Sequence, residues 1–307
     1  MKALFFVFLS LCFLAIASPT GNIYAQVKQQ AGTQIVLLGT GNPNPDPERW
    51  GPATAIVVNG SAYLIDAGSG VVRRAEAAFE KGVPALATAK LKTAFITHLH
   101  SDHTLGYPDL ILTPAIQGRH APLEVYGPKG LKAMTDNILK AWSEDINVRV
   151  NGLERGDRNA YRVNVHEIKP GVIYKDNNIT VTAFLVQHAT WQQAFGYKFE
   201  TADRTIVISG DCVPSQSVID ACNGCDVLIH EVYSQAGFLN RSAQWQAYHA
   251  SAHTSSYQLA DLATKAKPKL LILYHQLVWS STFEDLLKEV EERYKGKVVN
   301  GNDLDIY

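Results

Sequence analysis

The stretch "THLHSDH", residues 97–103, places three histidines and an aspartate within six consecutive positions. The residues before it, "LKTAFI" (91–96), form a short apolar run that predicts a buried strand. Each imidazole or carboxylate that leaves water for a protein interior needs a polar partner. The four polar side chains of this stretch therefore either hydrogen-bond to one another or bind an ion.

Three further metal-binding side chains follow predicted strands elsewhere in the chain. His188 ends "VTAFLVQH", Asp211 follows "TIVISG", and His275 ends "LLILYH". Loops at one edge of a rigid sheet are where binding and catalytic sites are commonly built. We therefore expect four separate strands to bring these groups together at one edge of the fold.

The combined set of five imidazoles and two carboxylates suits a pair of metal ions. A catalytic zinc ion takes three protein ligands and keeps one position for water, so seven groups suffice for two ions if one carboxylate bridges them. Two ions about 3.5–4 Å apart can hold both the attacking and the leaving oxygen of a displacement. Nitrogen and oxygen ligands without a thiolate favour zinc, and manganese or iron also accept them. We predict two Zn²⁺ ions, with Mn²⁺ or Fe as alternatives.

The remaining pattern predicts an α/β fold in which two facing sheets are covered by helices. Short apolar strands alternate with helical segments, and both halves of the chain begin with a run of strands. The predicted strands cover residues 33–41, 53–60, 62–70, 92–98, 123–128, 178–188, 194–201, 204–211, 226–233 and 270–276. The predicted helices cover residues 71–82, 104–117, 130–146, 215–224, 255–266 and 283–294.

The motif H-x-H-x-D-H at residues 98–103 resembles that of the metallo-β-lactamase superfamily. The segments "QHAT" (187–190), "SGDC" (209–212) and "LYHQ" (273–276) follow in that family's order, and the resemblance covers essentially all of residues 26–307. It implies an αββα sandwich of two facing mixed sheets with outer helices and a site at one sheet edge. It further implies a first metal held by His98, His100 and His188, a second held by Asp102, His103 and His275, and Asp211 as the bridge.

Finer segments are similar to the ribonuclease Z and arylsulfatase-like branch of the superfamily. The similar segments are "LLGTGNPNPDPERWGPA" (37–53), "VYGPKGL" (125–131), "DVLIHEVY" (226–233) and "SAHTSSYQLA" (251–260). The last two imply a glutamate and a histidine beside the metals, which are Glu231 and His253 in this chain. A di-iron branch of the family carries a carboxylate where His100 stands, so His100 favours hydrolysis over oxygen chemistry.

The chemistry of ester hydrolysis also explains why a glutamate and a histidine would lie beside the metals. A leaving oxygen needs a proton, and a histidine oriented by a carboxylate can donate it. We predict His253, backed by Glu231, as the proton donor, and Asp102 as both ligand and proton acceptor. The alternative is that His253 caps the following helix and Glu231 pairs with a surface base. The sequence further predicts that His230 is structural and that the remaining histidines lie on the surface, namely His120, His166 and His249.

Two features depart from ribonuclease Z. In that enzyme a long tRNA-binding arm separates the ligands that match His188 and Asp211, whereas here residues 189–210 suffice only for a turn and a strand pair. The N-terminal "MKALFFVFLSLCFLAIA" predicts a signal peptide over residues 1–25, followed by one hydrolase domain over 26–307. Cleavage after Ala17 and a retained anchor are the alternatives. This predicts a secreted or periplasmic protein with no stable membrane span after cleavage.

Charge also argues against a polyanionic partner such as tRNA. The chain has 28 basic and 29 acidic residues, a net charge of -1, and no basic stripe. We therefore expect an exported dinuclear hydrolase that cleaves small phosphodiesters or aryl sulfate esters with a metal-bridging hydroxide. The alternatives are a lactone or β-lactam hydrolase, a ribonuclease Z-type endonuclease and a non-catalytic zinc-binding protein. The resemblance also suggests a homodimer.

Two smaller features leave alternatives open. Phe238, Trp245 and Tyr248 lie between Glu231 and His253, where they either stack on an aryl leaving group or pack the loop onto the domain. The spacing in "ACNGC" allows a disulfide, a thiol pair or half of a zinc site at residues 222 and 225.

Overall fold

The computed structural model describes residues 32–307. Its strands are β1 (Gln34–Gly39), β2 (Ala53–Val58), β3 (Ser61–Ile65), β4 (Thr93–Phe95), β5 (Leu123–Gly127), β6 (Val163–Glu167), β7 (Gly171–Lys175), β8 (Thr180–Val186), β9 (Ala194–Glu200), β10 (Thr205–Ile208), β11 (Val227–Tyr233), β12 (Leu270–Leu277) and β13 (Val298–Asn300). Its α-helices are α1 (Val71–Glu80), α2 (Ser101–Thr104), α3 (Tyr107–Ile116), α4 (Leu131–Ala141), α5 (Ser143–Asn151), α6 (Gln216–Cys222), α7 (Gln235–Leu239), α8 (Ala243–Ala252), α9 (Ser256–Ala266) and α10 (Phe283–Arg293).

The strands form two mixed sheets. The first has the order β1-β2-β3-β4-β5-β6, and the second has the order β13-β12-β11-β10-β9-β8-β7. In each sheet the strands at one end pair antiparallel and those at the other end pair parallel, as at β1–β2 against β4–β5 and at β8–β9 against β11–β12. Each half of the chain thus contributes one sheet.

Three apolar layers hold the sheets and helices together. Along β1, Ile35 and Leu37 face the layer between the two sheets, whereas Val36 and Leu38 face the layer beneath the helices. This alternation follows from the two-residue period of a strand, and it shows that both faces of the sheet are covered. The second sheet behaves in the same way, since Ile206 faces the first sheet and Val207 faces the helices. The αββα sandwich expected from the sequence is confirmed.

Some elements differ from those expected from the sequence. The helix predicted over 130–146 is two helices, α4 and α5, which meet at Trp142. The helix predicted over 104–117 is α3, which begins only after Gly106, and the separate short helix α2 precedes it. A Cβ on Gly106 would lie 2.2 Å from the Gly68 carbonyl oxygen, so the close approach of these two loops requires glycine.

Cys222 and Cys225 form a disulfide with an S–S distance of 2.07 Å, which selects one of the three possibilities left by their spacing. The third cysteine of the described residues, Cys212, is buried as a free thiol. Both findings agree with a structural role for these side chains.

The predicted signal segment, residues 1–25, lies outside the described residues. Among residues 32–307, no helix has the length and apolar character needed to cross a bilayer.

Candidate metal centre

The three histidines of the first cluster of predicted ligands come from two chain segments. His98 and His100 follow β4, and His188 follows β8. His98 Nε2 lies 3.0 Å from His100 Nδ1, which lies 3.1 Å from His188 Nε2. Tetrahedral zinc with Zn–N bonds of 2.0–2.1 Å separates its ligand atoms by about 3.3 Å. The three nitrogens therefore have the spacing of a metal-binding set, and Asp211 belongs to the same group.

The protonation states also suit a metal. Burial lowers the pKa of His98 well below its ordinary value, and it lowers the pKa of His100 to about 4. Both rings are thus neutral near pH 7, and a neutral imidazole offers the lone pair that a metal needs.

The second cluster consists of Asp102, His103 and His275. Asp102 Oδ2 lies 3.1 Å from His275 Nε2 and 3.4 Å from His103 Nε2. Burial would raise the pKa of Asp102, but His103 and His275 lower it to about 2. Asp102 is therefore ionised near pH 7, which is the state required of a ligand.

Asp211 lies between the two clusters. Its Oδ2 is 3.5 Å from both His103 Nε2 and His275 Nε2, 3.9 Å from His98 Nε2 and 4.0 Å from His188 Nε2. Burial would raise the pKa of Asp211, but the neighbouring histidines, His275 first, hold it well below its ordinary value. This is the bridging position that the sequence predicted.

Unsatisfied polar atoms provide a further test of whether the site fits metal ions. His103 Nε2 and Asp211 Oδ1 are among the buried atoms of residues 32–307 that have no hydrogen-bond partner. A buried polar atom without a partner is costly, so native proteins rarely leave one unmatched. The seven residues fit two metal ions in their chemistry and spacing, and they include polar atoms that lack a hydrogen-bond partner.

Backbone features turn these side chains inward. His275 has a φ of 47° and is the extra residue of a bulge, because Tyr274 pairs with Glu231 while Gln276 pairs with Val232. A bulge redirects one side chain without ending the strand, and bulges of this kind are common beside active sites.

The outer nitrogens of the ligands are held by other groups. His188 Nδ1 donates to the Ala252 carbonyl at 2.7 Å, and His103 Nδ1 lies 2.9 Å from Asp66 Oδ2. Asp66 is buried, has a φ of 62°, and also accepts the Thr97 backbone N–H at 2.8 Å. Such outer contacts fix the tautomer and the ring orientation of a metal ligand. Sequence reasoning missed Asp66, although "LIDAG" places a carboxylate directly after a buried strand, which is the same signal as at Asp211.

Trp191 is a second residue that sequence reasoning missed. Its Nε1–H donates to His100 Nε2 at 2.9 Å. To accept this bond, neutral His100 must carry its proton on Nδ1, the nitrogen that faces the ligand cluster. A metal bound at Nδ1 requires the proton on Nε2 instead. The indole hydrogen bond and metal ligation by His100 are therefore mutually exclusive.

His253 and Glu231 lie beside the ligands. Glu231 is fully buried in β11, its Oε1 accepts the Thr254 N–H at 2.8 Å, and its Oε2 lies 3.3 Å from His253 Nδ1. His253 Nδ1 is also 3.9 Å from Asp211 Oδ2. Burial lowers the pKa of His253 to about 4, and the nearby Asp211 carboxylate acts in the opposite direction by favouring the protonated ring.

The alternative roles for this pair do not fit the geometry. The cap of α9 is Ser255, which forms a capping box with Gln258, so His253 is not needed there. Glu231 is buried rather than paired with a surface base. The structure therefore places both residues where the sequence expected them, at the edge of the ligand cluster.

The other histidines divide into two kinds. His230 is buried and bonds the Glu231 carbonyl through Nδ1, in keeping with a structural role. His120 and His166 are exposed, as expected. The prediction for His249 is wrong, because its ring is buried against Trp279 at a centroid distance of 4.6 Å. Its helix α8 folds back over the site, which a polar, weakly patterned sequence does not indicate.

The three aromatic residues between Glu231 and His253 have two different environments. Phe238 stacks on Tyr233 at 4.9 Å and so packs its loop. Trp245 and Tyr248 remain 48% and 37% exposed, and the Tyr248 ring lies 6.3 Å from that of His253. Trp245 and Tyr248 are therefore more open to a ligand than Phe238.

The connection between His188 and Asp211 has the form expected from its length. It consists of a turn followed by β9 and β10, which pair antiparallel.

The fold and the ligand set define the class of protein. A family profile described as "Beta-lactamase superfamily domain" matches residues 62–276, and the chain belongs to the metallo-β-lactamase superfamily. It is a metal-dependent hydrolase of that superfamily.

Within the superfamily, the chain is similar to ribonuclease Z. It is 31% identical over 277 residues to "Ribonuclease Z" from Mycobacterium marinum, a match that covers 88% of this chain and 96% of the relative.

Two solved structures share the fold. The metallo-β-lactamase fold protein YhfI from Bacillus subtilis has a TM-score of 0.69 at 16% identity and covers 90% of this chain and 99% of its own. The short form of human tRNase Z has a TM-score of 0.65 at 24% identity, and the match covers 89% of this chain and 98% of the tRNase Z chain.

Proposed function

We propose that this protein hydrolyses small phosphodiesters and that His253 protonates the leaving oxygen. The observation that carries the proposal is the buried pair of Glu231 and His253, 3.3 Å apart, at the edge of the two ligand clusters. The similarity to proteins named ribonuclease Z supports a phosphodiester as the reacting bond.

The chemistry assigns a role to each group. When bound, two metal ions would activate water and stabilise negative charge on the phosphoryl oxygens. The oxygen of that water bonds to phosphorus, and the bond from phosphorus to the leaving oxygen breaks. The protonated form of His253 gives one ring proton to the leaving oxygen, and Glu231 keeps the ring oriented. The ring, then neutral, takes up a proton from solvent before the next turnover. Asp102 serves as a ligand and accepts the proton that the water releases.

A small substrate fits this chain better than tRNA for two reasons. The connection over residues 189–210 is a turn and a hairpin, which leaves no room for an arm that would grip RNA. The near balance of 28 basic and 29 acidic residues offers little attraction to a polyanion. We also propose, from residues 1–25, that the protein is exported. N-terminal sequencing of the mature protein tests this.

Aryl sulfate esters are the second candidate substrates. The exposed rings of Trp245 and Tyr248 beside His253 suit an aryl leaving group on either phosphorus or sulfur.

A rate comparison tests the proposal. The zinc-loaded protein would be assayed on bis(p-nitrophenyl) phosphate, p-nitrophenyl sulfate and a precursor tRNA, with His188→Ala as the blank. We expect the diester to be cleaved fastest. Faster cleavage of the sulfate would favour the second candidate, and efficient tRNA cleavage would overturn the small-substrate proposal.

A further inference from the structure

Helix α8 presents an aromatic face beside the metal centre. Trp245, Tyr248 and His249 are three and four residues apart, so they share one side of the helix. The His249 ring lies 5.6 Å from His253 and 4.6 Å from Trp279, which follows the β12 strand of His275. The aromatic face is thus continuous with the site of proton donation.

The C-terminal end of helix α8 is held by hydrogen bonds to the segment that carries the predicted ligand His188. The Ser251 carbonyl accepts the backbone N–H of Ala189, the residue after ligand His188, at 2.9 Å. The Ala252 carbonyl accepts a hydrogen bond from the His188 ring. The orientation of the aromatic face is therefore tied to that of the centre.

Arg241 adds a cationic group to this face. Its guanidinium carbon lies 5.3 Å from the centre of the Trp245 ring and 5.4 Å from that of Trp279. Its buried Nε has no hydrogen-bond partner among residues 32–307. A guanidinium close to two indoles adds positive charge and a planar stacking surface to this aromatic face.

We propose that Trp245, Tyr248, Trp279 and Arg241 form a subsite for the planar aromatic ring of the leaving group, such as an aryl or a nucleobase-bearing alcohol. The inference rests on the proposed ester hydrolysis at the adjoining centre. Trp245 and Tyr248 are half-exposed and lie on the same helix face as His249, so a flat ligand can pack against them. A ring attached to the oxygen that His253 protonates would lie against this face.

Binding of two phosphonates to the zinc-loaded protein tests the subsite without turnover. Phenylphosphonate and methylphosphonate share the group that the metal centre would hold, and only the first carries a ring. Calorimetry should give a phenylphosphonate Kd about twofold to tenfold lower than that of methylphosphonate, the range of one aromatic pair. In Trp245→Leu and in Arg241→Gln this preference should shrink while methylphosphonate binding stays unchanged.

The matched control is Trp142→Leu, which removes a similarly exposed tryptophan (46%) between α4 and α5 and should keep the preference. Equal affinity of the wild-type protein for both phosphonates, or an equal loss for both in Trp245→Leu, would overturn the subsite. Diester hydrolysis without a ring preference would overturn the subsite alone. A ring preference without hydrolysis of any ester would overturn the proposed function alone.

Discussion

At the scale of single residues, the proposed proton donor makes the sharpest prediction. His253→Ala should lower kcat by about 10²–10⁴-fold on diesters with poor leaving groups, because their oxygen needs a proton in the transition state. Diesters of p-nitrophenol, whose anion leaves readily, should lose much less. Turnover would be measured across a series of leaving groups, with zinc content as the control for an intact centre. An equal loss across the series would exclude the proton-donor role.

Trp191 makes a second prediction, about metal affinity. Its hydrogen bond to His100 exists only without metal and so competes with ligation. Removing a hydrogen bond worth about 1 kcal/mol from the metal-free state should tighten binding about fivefold in Trp191→Phe. Competition with a chromogenic chelator measures this, with Trp142→Phe as the control. Weaker binding in Trp191→Phe would mean that the indole supports the metal-bound state instead.

The seven predicted ligands could be proposed from the sequence because they stand at the end of an apolar strand or in the segment that follows it, and the structure brings them together. Asp66 also directly follows an apolar strand, so the sequence offered the same signal there, but it did not indicate which residue Asp66 supports, and no pattern indicates a role for Trp191. Asp66 contacts His103, and Trp191 contacts His100. Such pairings depend on how loops pack against one another, which a sequence pattern does not reveal. His249 was misassigned for the same reason, since its partner Trp279 is far away in the chain.

At the scale of secondary-structure elements, one carboxylate holds both ends of the segment that carries α7 and α8. Glu289 of α10 accepts hydrogen bonds from the Ser234 hydroxyl (3.0 Å), the Gln235 N–H (2.7 Å) and the Ala236 N–H (2.9 Å). It also accepts a bond from the Ser256 hydroxyl at 2.5 Å. This single side chain therefore anchors the segment that ends at His253.

Glu289→Gln should lower the free energy of unfolding by about 2–4 kcal/mol, because bonds to a charged acceptor contribute about 1.5–3 kcal/mol each and an amide can replace only some of them. Urea denaturation would measure the change. Glu292→Gln, on the same helix but exposed, is the matched control and should be nearly neutral. Equal effects of the two substitutions would show that the buried carboxylate does not anchor the segment.

The elements that sequence reasoning found are those with a clear apolar pattern, such as β11 and β12. It missed β6, β7 and β13, whose residues are largely half-buried or exposed, so their side chains carry little hydrophobic signal. It also missed α8, because only two of its residues are buried. Strand pairing holds the first group in place, and contacts with the metal centre hold α8.

At the scale of the whole molecule, metal binding should contribute to stability. Two carboxylates and five imidazoles converge at the centre, and some of their atoms lack partners. A ligand that binds only the folded state at 1,000 times its Kd stabilises by about 4.1 kcal/mol. Removing zinc with a chelator should lower Tm by on the order of 10 °C, as scanning calorimetry would measure. His188→Ala should respond less to the chelator, and an unchanged wild-type Tm would argue against a structural contribution from the metals.

The division of ligands between the sheets has a consequence for assembly. His98, His100, Asp102 and His103 come from the half that builds the first sheet, and His188, Asp211 and His275 come from the half that builds the second. Each cluster draws on both halves, so neither half closes a complete ion site by itself. Bound ions would therefore link the two halves of the chain. If the halves were produced as separate fragments, divided between β6 and β7, zinc uptake would report whether the fragments associate.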